Sequence, residues 1–391
     1  MTYTLGASYA PIWMNCTGSP RMSAATPHYA ESDDTSRNLG LDLHYIAEQV
    51  LLSNGERAPR EWVGQVAPNG TLITLDHALH VATYTRDVTD IAQHCSEPLH
   101  VEHRCDLNWL APGVVAIVDA AAYDRTSRHL TVWDAKFGHN PRDPFRDWQM
   151  VLNGLAMCYE YPEAQRIDLR IVQPLCWQDP EPKSWELDVD ELKRFGLQAR
   201  NGANNAQSGG QLTPGMHCTK CRGRVDCPAF RSYYERVGDM VQRDINIAPE
   251  HRTPQEISLE LDAISAQLKL GKARKEALDA KAYHMAENGG VSVPGYKLVQ
   301  SRSQRKIVDE PTFVETARQF GYSDALLFHE PKLLSPAQLE NVGVNKELVE
   351  MFTEKPDKGK QLVPMSDTRP AQASRLVEAF SKVSGGSVGN K

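Results

Sequence analysis

Val132-Trp133-Asp134-Ala135-Lys136 sets a carboxylate and an ammonium two residues apart in a run of β-forming residues. Side chains alternate faces along a strand, so Asp134 and Lys136 point the same way. A second apolar run, Gly113-Val-Val-Ala-Ile-Val-Asp119, ends in another aspartate. If the two runs pair as a hairpin, Asp119 comes within reach of Asp134. Two carboxylates on one side of a sheet repel each other unless a cation sits between them. A hard divalent ion, Mg²⁺ or Mn²⁺, suits such oxygen ligands. It would lower the pKa of a bound water and stabilise charge building on a phosphate. Lys136 would orient that water or hold a phosphate oxygen. The plainer alternative is two strand-end aspartates and a lysine on a solvated face.

Other residues could serve the same chemistry. His44 lies four residues after Gly40 on a preceding helix and is a candidate nitrogen ligand, against the commoner structural helical histidine. Gln149 and Asn153, at i and i+4, share a helix face and could fix the lysine or a phosphate. Glu102, on the first strand, is a further acidic candidate of undecided facing.

Cysteine spacing is the other chemical signal. Cys218, Cys221 and Cys227 form a C-x2-C-x5-C run, and Cys16 lies about two hundred residues earlier. In a reducing compartment clustered cysteines read as metal ligands rather than disulfides. Four thiolates suit tetrahedral Zn²⁺ as well as an iron–sulfur cubane, and His217 could replace one of them as a zinc ligand. The spacing does not decide between them. Either centre would be structural, ordering the surface around residues 16 and 218. The other four cysteines, Cys95, Cys105, Cys158 and Cys176, are scattered and read as small apolar core residues.

The chain has 391 residues, 41% of them hydrophobic, enough for one large domain or two ordinary ones. Its net charge of −7 does not advertise a nucleic-acid binder, although a local basic surface would suffice. Three basic stretches qualify: Lys220 to Arg236, Lys269 to Lys275, and Lys297 to Lys306. No membrane span and no signal peptide are expected, and a cytoplasmic location is the default.

The elements that must position these residues can be placed by periodicity. Leu39, Leu43, Ile46, Ala47 and Val50 recur at helical spacing over 37–52. A second helix is expected over 75–95. Strands follow over 99–109, 113–123 and 129–137, then a helix over 144–160 and a half-buried strand over 166–174. Asn201 to Gly210 reads as a loop. Thr253-Pro254-Gln255-Glu256 signals a capped helix running to about Glu287. A strand pair is expected near 292–308 and short helices at 309–319, 335–341 and 346–353. The expected division is a domain over 1–240, an accessory, mostly helical region over 241–367, and a flexible tail over 368–391.

Helix, three strands, helix, strand, with these motifs in this order, resembles the PD-(D/E)XK nuclease superfamily. The likeness is to its RecB-like branch, which includes the AddB-type iron–sulfur exonucleases, and it covers about residues 10–235. The resemblance implies an α/β restriction-endonuclease-like core. It implies metal ligands at His44, Asp119 and Asp134, and catalytic roles for Asp119, Asp134, Lys136 and Gln149. It also implies a [4Fe–4S] cluster on Cys16, Cys218, Cys221 and Cys227, with Zn²⁺ as the alternative. The family often has a tyrosine four residues after the glutamine, and this chain has Asn153. The implied activity is Mg²⁺- or Mn²⁺-dependent DNA exonucleolysis in phage replication or recombination, in the host cytoplasm. Possible protein partners are a single-strand annealing protein or a helicase. Two alternatives stand beside it: a catalytically silent DNA-binding or assembly module on the same fold, and a zinc-stabilised protein-interaction factor.

Overall fold

The computed structural model describes residues 2–27, 35–176, 181–244 and 253–288, with isolated positions at 291, 293–296 and 319. The chain divides into two compact units, Met1–Gln304 and Arg305–Lys391. The helices expected beyond residue 304 lie outside the described residues apart from position 319, as do most of the hairpin near 292–308 and the tail. The first unit runs past the boundary at 240 read from sequence.

That unit is an α/β fold around one six-stranded mixed sheet. Its strands are β1 (Leu5–Gly6), β2 (His100–Asp106), β3 (Val114–Asp124), β4 (His129–Ala135), β5 (Arg166–Val172) and β6 (Lys183–Asp188). The order is β1-β3-β4-β5-β6, with β2 paired to β3. β2–β3, β3–β4 and β5–β6 are antiparallel, whereas β1–β3 and β4–β5 are parallel. A parallel pair needs a crossover, and helix α5 (Trp148–Glu160) makes it between β4 and β5.

Helices cover both faces. α3 (Thr35–Leu52) and α4 (Leu75–Ala92) bury Leu43, Ile46, Val81 and Tyr84 against Ala120, Trp133 and Ala135. On the other face α5 and α6 (Val189–Gln207) pack Met150, Leu152, Leu192 and Ala203 against Val118, Val132 and Leu169. Two short helices, α1 (Ala10–Trp13) and α2 (Ser19–Ala25), follow β1. After the cysteine run come α7 (Pro228–Asp244) and α8 (Pro254–Glu287). Among the described residues no helix is long and apolar enough to cross a membrane.

Three sequence expectations change. Residues 201–207 are the last turns of α6, not a loop. β5 is buried on both faces rather than half-buried: Arg170 pairs with Asp87 at 2.8 Å and with Asp168 at 3.1 Å, and Ser184 donates to Asp168. Its polar residues are therefore satisfied inside the protein, as buried charges must be. The helix expected from residue 144 starts at Trp148, where Asp147 caps it.

Candidate active site and cysteine centre

The β3–β4 ladder ends at Ala120↔Trp133. One step further in the same register, Asp119 stands opposite Asp134. The strand alternation breaks there: Val118 and Ala120, two apart, face opposite cores. Instead of a backbone carbonyl, Asp119 Oδ2 accepts the Ala135 N–H at 2.7 Å. The aspartate side chain thus holds the two strands together where the ladder stops.

Two groups of side chains meet at this gap. In the first, α3 presents His44, whose Nδ1 lies 3.7 Å from Asp119 Oδ2 and 3.9 Å from Glu102 Oε1. One ligand atom from each of these three residues falls within 4.8 Å of the others. Phe137 packs edge-on against His44, with ring centroids 5.2 Å apart, and holds the imidazole in place. Glu102 reaches the group through a left-handed backbone conformation, φ +46°, in the middle of β2. Burial, reinforced by Asp119, Glu48 and Asp134, pushes its carboxyl up to about 8.

In the second group, Lys136 Nζ lies 2.6 Å from Asp134 Oδ2, and Asp134 is only 1% exposed. Gln149 bridges the two: its Nε2 donates to Asp134 Oδ1 at 2.6 Å and its Oε1 accepts from Lys136 Nζ at 3.4 Å. Burial raises the Asp134 carboxyl, with Lys136 opposing that rise. Burial works against the Lys136 ammonium, but Asp134 and Asp119 hold its pKa above the ordinary value. Gln149 is aimed by the N-terminus of α5, where the Asp147 carboxylate accepts the N–H groups of Gln149 at 2.8 Å and Met150 at 3.2 Å.

His44, Asp119, Asp134, Lys136 and Gln149 are therefore neighbours. The expected ligand trio of His44, Asp119 and Asp134 is arranged differently: Glu102 stands beside His44 and Asp119, while Asp134 turns to Lys136 and Gln149. Asn153 does not join them. It is fully buried, and neither of its amide atoms has a hydrogen-bond partner, so it is not placed to hold a phosphate. Asp147 escaped the sequence reading, although an aspartate just before an apolar helical run is an N-cap signal. The donor set of one imidazole and two carboxylates fits Mg²⁺ or Mn²⁺.

The cysteines converge as well. Gly18 N–H donates to Gln211 O at 2.9 Å, and Gln211 N–H donates to Thr17 Oγ1 at 3.0 Å. This stitches the segment carrying Cys16 to the one leading into the cysteine run. A Cβ on Gly223 would come within 2.7 Å of Met22 Cβ, so the two segments touch closely there. Cys16, Cys218, Cys221 and Cys227 line one small pocket. Backbone N–H groups face the sulfurs: Thr213 donates to Cys16 Sγ at 3.3 Å and Gly215 to Cys218 Sγ at 3.5 Å. The Gly215 bond favours the Cys218 thiolate, but burial outweighs it and pushes that thiol up to about 11; bonds of this kind also orient ligands around a metal.

The basic stretches divide by use. Arg222 donates to Thr26 O at 2.9 Å and Arg224 to Ala273 O at 3.3 Å, tying the cysteine run to α2 and α8. Lys275 pairs with Asp279 on the solvated face of α8. Lys220 lies within electrostatic reach of Arg142 and Lys136, and both add to burial in pushing its ammonium pKa down.

Fold and site together define an α/β protein with a carboxylate–lysine site at a break in its sheet and four cysteines drawn to one pocket. The chain belongs to the family described as protein of unknown function (DUF2800), whose model matches residues 3–370.

Proposed function

We propose that this protein is a metal-dependent deoxyribonuclease of the PD-(D/E)XK superfamily, in its RecB-like branch. Its proposed action is exonucleolytic, in phage replication or recombination. The observation that carries this reading is the meeting of His44, Asp119, Asp134, Lys136 and Gln149, delivered by α3, β3, β4 and α5, around the end of the β3–β4 ladder. His44, Glu102 and Asp119 would hold Mg²⁺ or Mn²⁺. Bound there, the ion supplies a water of lowered pKa and positive charge beside a phosphate. Lys136 donates toward the attacking water or a phosphate oxygen, and Asp134 with Gln149 fixes its ammonium in place.

The four-cysteine pocket fits a [4Fe–4S] cluster in this reading. Four cysteines on one pocket are the ligand set such a cluster takes, and Zn²⁺ is the alternative for the same four thiolates.

The test is cleavage of end-labelled linear DNA and of closed circular DNA with Mg²⁺ or Mn²⁺. Asp119→Asn and Lys136→Ala should each lower the rate about 10²–10³-fold or more while circular dichroism stays native. Unchanged cleavage in both variants would sink the nuclease reading. Rapid cutting of closed circles would overturn its exonucleolytic part.

A further inference from the structure

A second group of donor atoms converges away from the site already described. One ring nitrogen of His103, the Cys105 sulfur and a Glu160 carboxylate oxygen all lie within 4.8 Å of one another. His103 and Cys105 are two apart on β2 and share a face. Glu160 is the last residue of α5, which crosses that face. His103 Nε2 is 3.6 Å from Glu160 Oε1. That nitrogen is shut off from water and makes no hydrogen bond. A buried polar atom left in this state calls for an explanation, and a coordinated cation provides one.

The surroundings favour a cation. A helix C-terminus carries partial negative charge, and Glu160 adds a full carboxylate at the end of α5. The neighbouring groups are already engaged with one another: His100 Nε2 and the Tyr161 hydroxyl are 2.6 Å apart, and the His100 ring lies 4.6 Å from that of His103. His100 and His103 are three apart, so a regular strand would send them to opposite faces. The left-handed turn of Glu102 between them brings both to the α5 side. The conformation that delivers Glu102 to one site therefore also delivers His103 to the other.

We propose that His103, Cys105 and Glu160 form a further metal centre for a zinc-class divalent ion. The mixed nitrogen, sulfur and oxygen donors select a borderline-soft ion over Mg²⁺. Three protein ligands leave the fourth tetrahedral position to water. Binding forms a metal–sulfur bond, breaks the Cys105 S–H bond and releases that proton to solvent. The ion clips edge strand β2 to the far end of α5. β2 carries Glu102 next to His103, and α5 carries Gln149 at its opposite end, so the clip braces both elements from behind. None of this depends on the nuclease reading.

The experiment is a zinc titration of the full-length protein after dialysis against a chelator, in competition with a chromophoric chelator. Wild type is compared with Cys105→Val, His103→Gln and Glu160→Gln. Zinc held by the four-cysteine pocket or by His44 and its neighbours is common to all four proteins and cancels. Each variant should bind one zinc equivalent fewer than wild type. With Co²⁺, the wild-type spectrum minus that of Cys105→Val should show a thiolate-to-metal charge-transfer band and tetrahedral d–d bands. Equal zinc stoichiometry in wild type and the folded variants would overturn the proposal, as would a featureless cobalt difference spectrum. If Cys105→Val fails to fold, Glu160→Gln decides, because that side chain is 45% exposed and its substitution leaves the core intact.

Discussion

Glu102 carries two burdens at once: a backbone conformation that non-glycine residues rarely adopt and a carboxyl crowded by other carboxyls. The first costs about 1–3 kcal/mol, and such strain persists where neighbouring structure enforces it. The second has a pH signature. With the Glu102 carboxyl at about 8 in the folded chain against 4.5 for an ordinary glutamate, the folded state binds more protons than the unfolded state between those values. Stability of the metal-free protein must then fall as pH rises through that window. In chelator, the melting temperature of wild type should drop relative to Glu102→Gln between pH 5 and pH 9. Parallel curves would show that the Glu102 carboxyl is not the source. A cation bound beside Glu102 displaces its proton, so Mn²⁺ affinity should rise with pH and level off near pH 8. At this scale the sequence was readable wherever periodicity held. Asp134 and Lys136 share a face because they are two apart, and Gln149 follows on the next helix. The facing of Glu102 was not readable, because it depends on a break in the strand's alternation that no residue pattern announces.

Among the elements, α5 shows how a cap can do positional work. Asp147 satisfies the first N–H groups of the helix and thereby sets the direction of Gln149. Asp147→Ala should cost about 1 kcal/mol of stability and lower cleavage through a disordered Lys136. A slower rate with unchanged metal affinity would separate that effect from loss of the metal site. α3 and the three consecutive strands were legible from apolar spacing and turn residues, and α8 from the capping residues at its start. α6 was not, for a definite reason. Its buried face is built partly from Gly196, Ala199, Gly202, Ala203 and Ala206, which carry little hydrophobic signal. The glycines among them sit at close approaches: a Cβ on Gly202 would come within 2.6 Å of the Met14 sulfur, and one on Gly196 within 3.1 Å of Leu155, so a larger residue there would make those side chains shift. β1 is two residues long, too short for any period to show.

For the molecule as a whole, the cysteine pocket joins the start of the first unit to the segment before α7, and α8 packs beside it. Leu270 is fully buried against Cys218 and Phe230, and the Arg224–Ala273 bond adds a second tie. Protein purified without oxygen should be brown, absorb near 400 nm and contain about four irons; colourless protein with stoichiometric zinc would refute the cluster. A chain ending at Gln304 should keep its metal centre, whereas one ending at residue 240 should lose it faster in air. Leu270→Ala should act in the same direction, costing about 2–5 kcal/mol. Equal lability of all these forms would show that α8 does not support the centre. The pairing of Cys16 with a partner segment about two hundred residues away also sets a clock. A ribosome adding roughly 5–20 residues per second needs about 10–40 s to travel from one to the other. Through that interval Cys16 waits for the cysteine run, and β1 waits for its β3 partner, which emerges only midway. The proposed metal centre would therefore have its full ligand set only once translation has passed Cys227, so a chain aborted before that point would lack it.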